Sequence, residues 1–207
     1  MKNLNITVVA FFILVFFRVG NIKAQEAKNE AITLSPSQID GFRKQAIIAV
    51  NDLNRHIEVM IDKSNSSERR YAAINLAANL FSEKTAIGPP KIEVTSIKKP
   101  GVVDAYEVKK YFTRLVGLPY KSVEITWYDI YLSSDFTKGE DGKYYGVATI
   151  YQKFVGKSNS EFGDYVDITE KNIQIIIEAE NLMDGSKTIE KWILKLGDIK
   201  VQETRSN

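Results

Sequence analysis

The chain has 207 residues, with 28 Lys and Arg against 26 Asp and Glu, one histidine and no cysteine. Near-neutral charge gives no electrostatic reason to expect nucleic acid or an anionic membrane surface as partner. The lack of cysteine excludes a disulfide scaffold and a lipid-modified lipoprotein N-terminus, and with a single histidine it argues against zinc or copper.

Lys2 precedes an apolar run from Ile6 to Phe17, and Ile22-Lys23-Ala24 offers a cleavage site before Gln25. This layout predicts a cleaved signal peptide over 1–24 and a periplasmic or secreted protein. The run is shorter than the roughly 20 apolar residues that span a bilayer, so no stable membrane span is expected after cleavage, retention as an anchor being the other reading. Without Lys2, Arg18 and Lys23 the basic residues number one fewer than the acidic ones. Residues 25–35 read as a polar leader, 36–202 as a single domain and 203–207 as a frayed tail.

Ser35-Pro36-Ser37 combines a capping hydroxyl with a proline suited to a first helical turn. Phe42, Ala46, Val50, Leu53, Ile57 and Met60 then recur at spacings of three and four, predicting a long amphipathic helix over 37–62. A second helix is expected through Tyr71, Ile74, Ala77 and Phe81. Gly88-Pro89-Pro90 ends helical potential, and Ile92, Val94 and Ser96 alternate as in a short strand. After Pro100-Gly101, the residues Ala105, Val108, Phe112 and Leu115 predict a third helix. Four long strand-like runs follow, near 121–133, 143–156, 164–182 and 187–201, joined by turn residues such as Asp141-Gly142 and Asp184-Gly185.

Helices followed by sequential antiparallel strands make an α+β fold. The run from 164 to 182, at about 3.3 Å per residue, would span roughly 60 Å if straight. It must bend or bulge, and a bent sheet wrapped around helices leaves a concave interior. The expected fold is a strongly curved antiparallel sheet around N-terminal helices.

This element order, together with "NLFSEKTAIGPP" at 79–90 and "VVDAYEVKKYFTRL" at 102–115, resembles the nuclear transport factor 2-like superfamily of α+β cones, also called cystatin-like. The resemblance covers roughly 66–202 and rests on structural motifs. The superfamily includes isomerases, cyclases, dehydratases and non-catalytic binding domains. Its isomerase-like members place an acidic base where Gly88 and Pro89 stand here, and use a first-helix tyrosine that 37–62 lacks. The resemblance thus implies a binding role over a catalytic one.

Within "VEITWYDIYL", strict alternation sets Val123, Ile125, Trp127, Asp129 and Tyr131 on one face. Asp129 is the candidate catalytic base if that face lines a pocket, and a rim charge otherwise. Trp127, Tyr131, Tyr145 and Tyr151 are candidate pocket aromatics. His56, flanking the first helix's apolar stripe with Asp52 one turn away, is a further candidate, a half-buried packing role being the commoner outcome for such a histidine. Gly146 and Ala148 permit close approach, by a helix more readily than by a ligand. No cofactor is expected, since no glycine-rich phosphate loop, serine elbow or calcium-loop spacing occurs.

The expectation is therefore an exported, non-catalytic ligand-binding domain. Two other readings stand beside it: a cone-pocket isomerase or lyase using Asp129, and an interaction module for a cell-envelope protein. A homodimer is compatible with each.

Overall fold

A computed structural model describes residues 33–82, 92–99, 102–158, 164–185 and 187–206. The expected signal peptide, the leader up to residue 32, and Gly88 and Pro89 lie outside the described residues.

Helix α1, Pro36–Ile61, starts on a reciprocal cap. Ser35 accepts from the backbone N–H of Gln38, whose side-chain oxygen accepts from the Ser35 N–H at 2.8 Å. The cap satisfies donors that a helix start leaves unpaired. The expected stripe is the buried one: Phe42, Ala46, Val50, Leu53, Ile57 and Met60. α2, Ser67–Ala78, begins on Ser66 and buries Ala73, Ile74 and Ala77. Tyr71 faces solvent, and Phe81 lies past the helix in a bridge to Leu196. Among the described residues no helix is long and apolar enough to cross a membrane.

Strand β1 is Glu93–Lys99, and β2 is Val102–Glu107. β2 corrects the sequence reading, which ran the third helix through Ala105. Val102, Asp104 and Tyr106 are half-buried while their neighbours are exposed, and Val94 to Ile97 pair antiparallel with this segment. The third helix, α3, is Val108–Val116 and buries Val108, Tyr111, Phe112, Leu115 and Val116. Phe112 is fully buried against Phe81 and Tyr111 at ring distances of 6.1 and 5.7 Å.

The long strands are β3, Ser122–Leu132, β5, Tyr144–Lys157, β6, Tyr165–Asp184, and β7, Lys187–Ser206; β4 is the short Thr137–Lys138. The sheet order is β2-β1-β7-β6-β5-β3, with β4 on β5 and β1 parallel to β7. The sheet curves, and register shifts between β6 and β7, at Glu170/Lys171 and at Ile173/Ile175, place their extra residues on β7, while β6 pairs with β5 in unbroken register. Such shifts insert unpaired residues and increase local twist. The last residues do not fray as expected: β7 continues to Ser206, and Thr204 donates to Thr169.

The result is α+β: one curved seven-stranded sheet packed on the N-terminal helices. Its core joins the α1 stripe and Phe112 to inward residues of the sheet, among them Ala148, Ile150, Ile173, Ile175 and Leu196. Burial of each large apolar side chain contributes about 1.5–3 kcal/mol.

Candidate functional site

The alternation expected along β3 breaks at Asp129, whose φ is +50°. Tyr128 pairs with Tyr151 and Tyr131 with Thr149, so Asp129 and Ile130 together oppose the single residue Ile150. This is a β-bulge, and it resets the phase of the strand. Ile125 and Trp127 are buried; beyond the bulge Ile130 and Leu132 take over the core-facing positions. Asp129 and Tyr131 are exposed and do not share the face of Trp127.

Tyr131, Tyr128 and Tyr151 gather outside the sheet, where the rings of Tyr128 and Tyr151 stack at 6.0 Å. The Tyr151 phenol is held above its ordinary range, first by its hydrogen bond to Glu170 and by that carboxylate's charge, with Asp129 adding little. Tyr145 donates to Asp141 Oδ2 at 2.6 Å across the β4–β5 hairpin. Burial, then the Asp141 hydrogen bond and charge, push its pKa up to about 12. His56 is half-buried on α1, its pKa lowered by desolvation and by the neighbouring Arg55. Asp52, a candidate to orient it, is taken by the Arg55 guanidinium. Gly146 meets the ring of Phe136 rather than a helix, and Ala148 is core.

A cavity of about 410 Å³ opens instead between α3 and the inner faces of β5 and β6. Its size falls within the usual range for small-molecule sites. Tyr120, Phe154 and Tyr165 form one wall, with successive edge-to-face contacts at 5.7 and 5.8 Å. Tyr111, Leu115 and Leu118 come from α3 and the turn after it, and Val201 comes from β7. Of the sequence candidates, Trp127 alone reaches the edge of this site, through one hydrogen bond. Asp129, Tyr131, Tyr145, Tyr151 and His56 do not line it.

Polar groups enter from the sheet. On β6 the inward phase reads Asp167, Thr169, Lys171, then Ile173 and Ile175 of the core. Thr169 donates to Asp167 Oδ1 at 3.1 Å. Lys171 is 4 % exposed, and its Nζ donates to Gln152 Oε1 at 3.1 Å. Trp127 Nε1 donates to the same oxygen, also at 3.1 Å. Two donors on one atom fix the amide orientation, because the NH2 end cannot accept from either. The Lys171 ammonium also lies 5.7 Å from the Tyr111 ring centre, a cation–π distance. Arg114, at the exposed rim, stacks on Tyr106 at 4.0 Å.

A second depression, of about 500 Å³, is a surface trough between α1 and β3. Glu58, Asp62 and Glu124 on it are exposed, and none of its polar side chains is buried. Among the described residues no three metal-ligating side chains converge.

Lys171 was legible in principle. In "DITEKNIQIII" the buried phase that includes Ile173, Ile175 and Ile177 runs back through Lys171, Thr169 and Asp167.

No protein-family model matches the sequence, and no curated protein matches it. Among solved structures the chain is similar to a protein from Novosphingobium aromaticivorans DSM 12444 described as a "Putative Scytalone Dehydratase". Sequence identity is 12 %, the match covers 83 % of this chain and 91 % of the other, and the TM-score is 0.46. A likeness of that degree carries no argument about activity.

Proposed function

We propose that the chain is an exported binding protein whose cone cavity holds a small organic molecule without transforming it. The observation that carries this reading is the Lys171–Gln152 pair beneath an aromatic wall in an open cavity of about 410 Å³. Polar groups converging beside an aromatic wall orient a ligand. Catalysis by a carboxylate paired with Lys171 would need both groups within reach of one reacting centre. The carboxylate on the cavity wall, Asp167, lies four extended residues from Lys171, about 13 Å along the strand. Asp129, on the outer side, does not face the cavity. Export rests on the N-terminal pattern of Lys2, the apolar run to Phe17 and the small residue Ala24.

Titration with the neutral fluorophore N-phenyl-1-naphthylamine tests the binding role. Saturable enhancement is expected for the wild type, and its loss in Val201→Trp, which fills the cavity, at an unchanged unfolding midpoint. Equal enhancement in both proteins would refute the cavity as the binding place. Recovery of a chain beginning at Gln25 from the cell envelope is the matching expectation for export.

A second reading, docking to an envelope protein, has one feature in its favour. Beyond Ile177 and Leu194 the β6–β7 hairpin has no further strand partner among the described residues, and it exposes Leu182, Met183 and Ile189.

A further inference from the structure

Lys171 is a charged side chain that the fold buries and leaves incompletely satisfied. An ammonium carries three donors. One is used on Gln152 Oε1, and the ring of Tyr111 faces the group without accepting a conventional hydrogen bond. Among the described residues no carboxylate forms an ion pair with it; the pairs that form are Arg43 with Asp40 and Asp135, Arg55 with Asp52, and Lys143 with Glu178. Burying a cation against a neutral amide is costly unless a counter-charge completes the site. Lys171 lines the cavity, so that counter-charge can arrive with a ligand.

Gln152 points the same way. Its oxygen is saturated by Trp127 and Lys171, so its NH2 group is turned away from both and makes no hydrogen bond to a described residue. Lys171 and Gln152 line the same cavity, and the ammonium and the amide N–H can each donate to a carboxylate there. A phosphate, with its second charge, would call for clustered guanidinium groups. Among the described residues the one guanidinium on the cavity, Arg114, stacks on the Tyr106 ring at the exposed rim. The wall of Tyr120, Phe154 and Tyr165 suits a flat apolar body.

Building on the binding role argued above, we propose that the cavity selects a monocarboxylate with a flat, largely apolar body, its carboxylate held by Lys171 and the Gln152 amide. Thr169 and Asp167 then lie farther along the same strand face, toward the other end of the bound molecule.

A pair of probes alike in shape and different in charge tests this: 2-naphthoate and 2-naphthamide, titrated by calorimetry into the wild type, Lys171→Met, Lys171→Arg and Arg114→Gln. The wild type is expected to prefer naphthoate on the order of tenfold or more, as for a charge-assisted hydrogen bond. Lys171→Met should erase the preference while keeping its affinity for naphthamide. Lys171→Arg and Arg114→Gln should retain the preference. Equal wild-type affinity for the two probes overturns the carboxylate assignment and leaves the binding role standing. Binding of neither probe overturns both. A preference that survives Lys171→Met and falls in Arg114→Gln moves the anion to the rim and refutes the assignment. The wild-type comparison decides the matter even if Lys171→Met does not fold.

Discussion

Lys171 and Gln152 sit on adjacent strands, and the ammonium of one donates to the amide oxygen of the other at 3.1 Å inside the sheet's concave face. Trp127 closes the same oxygen from β3. A core position has thus been given to a cation whose hydrogen-bond partner is neutral.

That arrangement costs stability, and removing the cation should recover it. Lys171→Met keeps the side-chain length and leaves Trp127 as the donor to Gln152. The midpoint of chemical unfolding is expected to rise by an amount equivalent to about 1 kcal/mol, as when buried charges give way to packed apolar groups. A fall of that size would mean that Lys171 is an element of stability instead.

Asp129 occupies the left-handed region at φ +50°. An L-residue there bears about 1–2 kcal/mol of strain, which aspartate tolerates better than most and a β-branched side chain worst. Asp129→Gly should therefore unfold at the same denaturant concentration as the wild type or higher, and Asp129→Val lower by about 1–2 kcal/mol. Naphthoate binding should be unchanged in Asp129→Gly. Loss of binding in that variant would return Asp129 to the site.

The inner face of β5 admits no side chain at Gly146. A Cβ built there would lie 2.7 Å from carbons of the Phe136 ring. That ring packs on the core, so it cannot shift without opening space beneath it. Gly146→Ala is expected to destabilise by about 1–3 kcal/mol, an overpacking cost measurable by urea unfolding. A neutral result would show that Phe136 swings freely.

At alkaline pH the Tyr145 phenol supplies a signed expectation. Its folded pKa is raised to about 12, by burial first and by Asp141 next. An unfolded tyrosine ionises near pH ~10, so above that pH the native state binds more protons than the unfolded one. The stabilisation is whole below about pH 10 and is lost as pH climbs to about 12. Unfolding midpoints measured across that window should fall more steeply for the wild type than for Tyr145→Phe. Parallel curves would show that neither the burial of Tyr145 nor its Asp141 contact persists in solution.

Much of the fold could be read before any coordinates. The α1 stripe from Phe42 to Met60 follows from spacing, because burial of one helix face is a local periodic demand. The need for a curved sheet follows from strand length alone. β2 was missed because "VVDAYE" runs without a break into the helical spacing of Val108, Phe112 and Leu115. Its strand state depends on pairing with β1, a non-local contact. The site was less legible. Tyrosines on β3 and β5 drew attention, yet Tyr131, Tyr145 and Tyr151 lie off the cavity, whereas Lys171 and Gln152 face it.

By itself the sequence determined the α+β order of elements, the long capped helix and the need for a bent sheet, since each is written in neighbouring residues. Tertiary structure decided which side chains meet. One bulge at Asp129 turned the rest of β3 over, and the pairing of β5 with β6 brought Gln152 beside Lys171. A strand's alternation is local, but its phase is set by the partner strand against which it is counted, and the partner residue lies 25 positions away for Trp127 and 19 for Lys171.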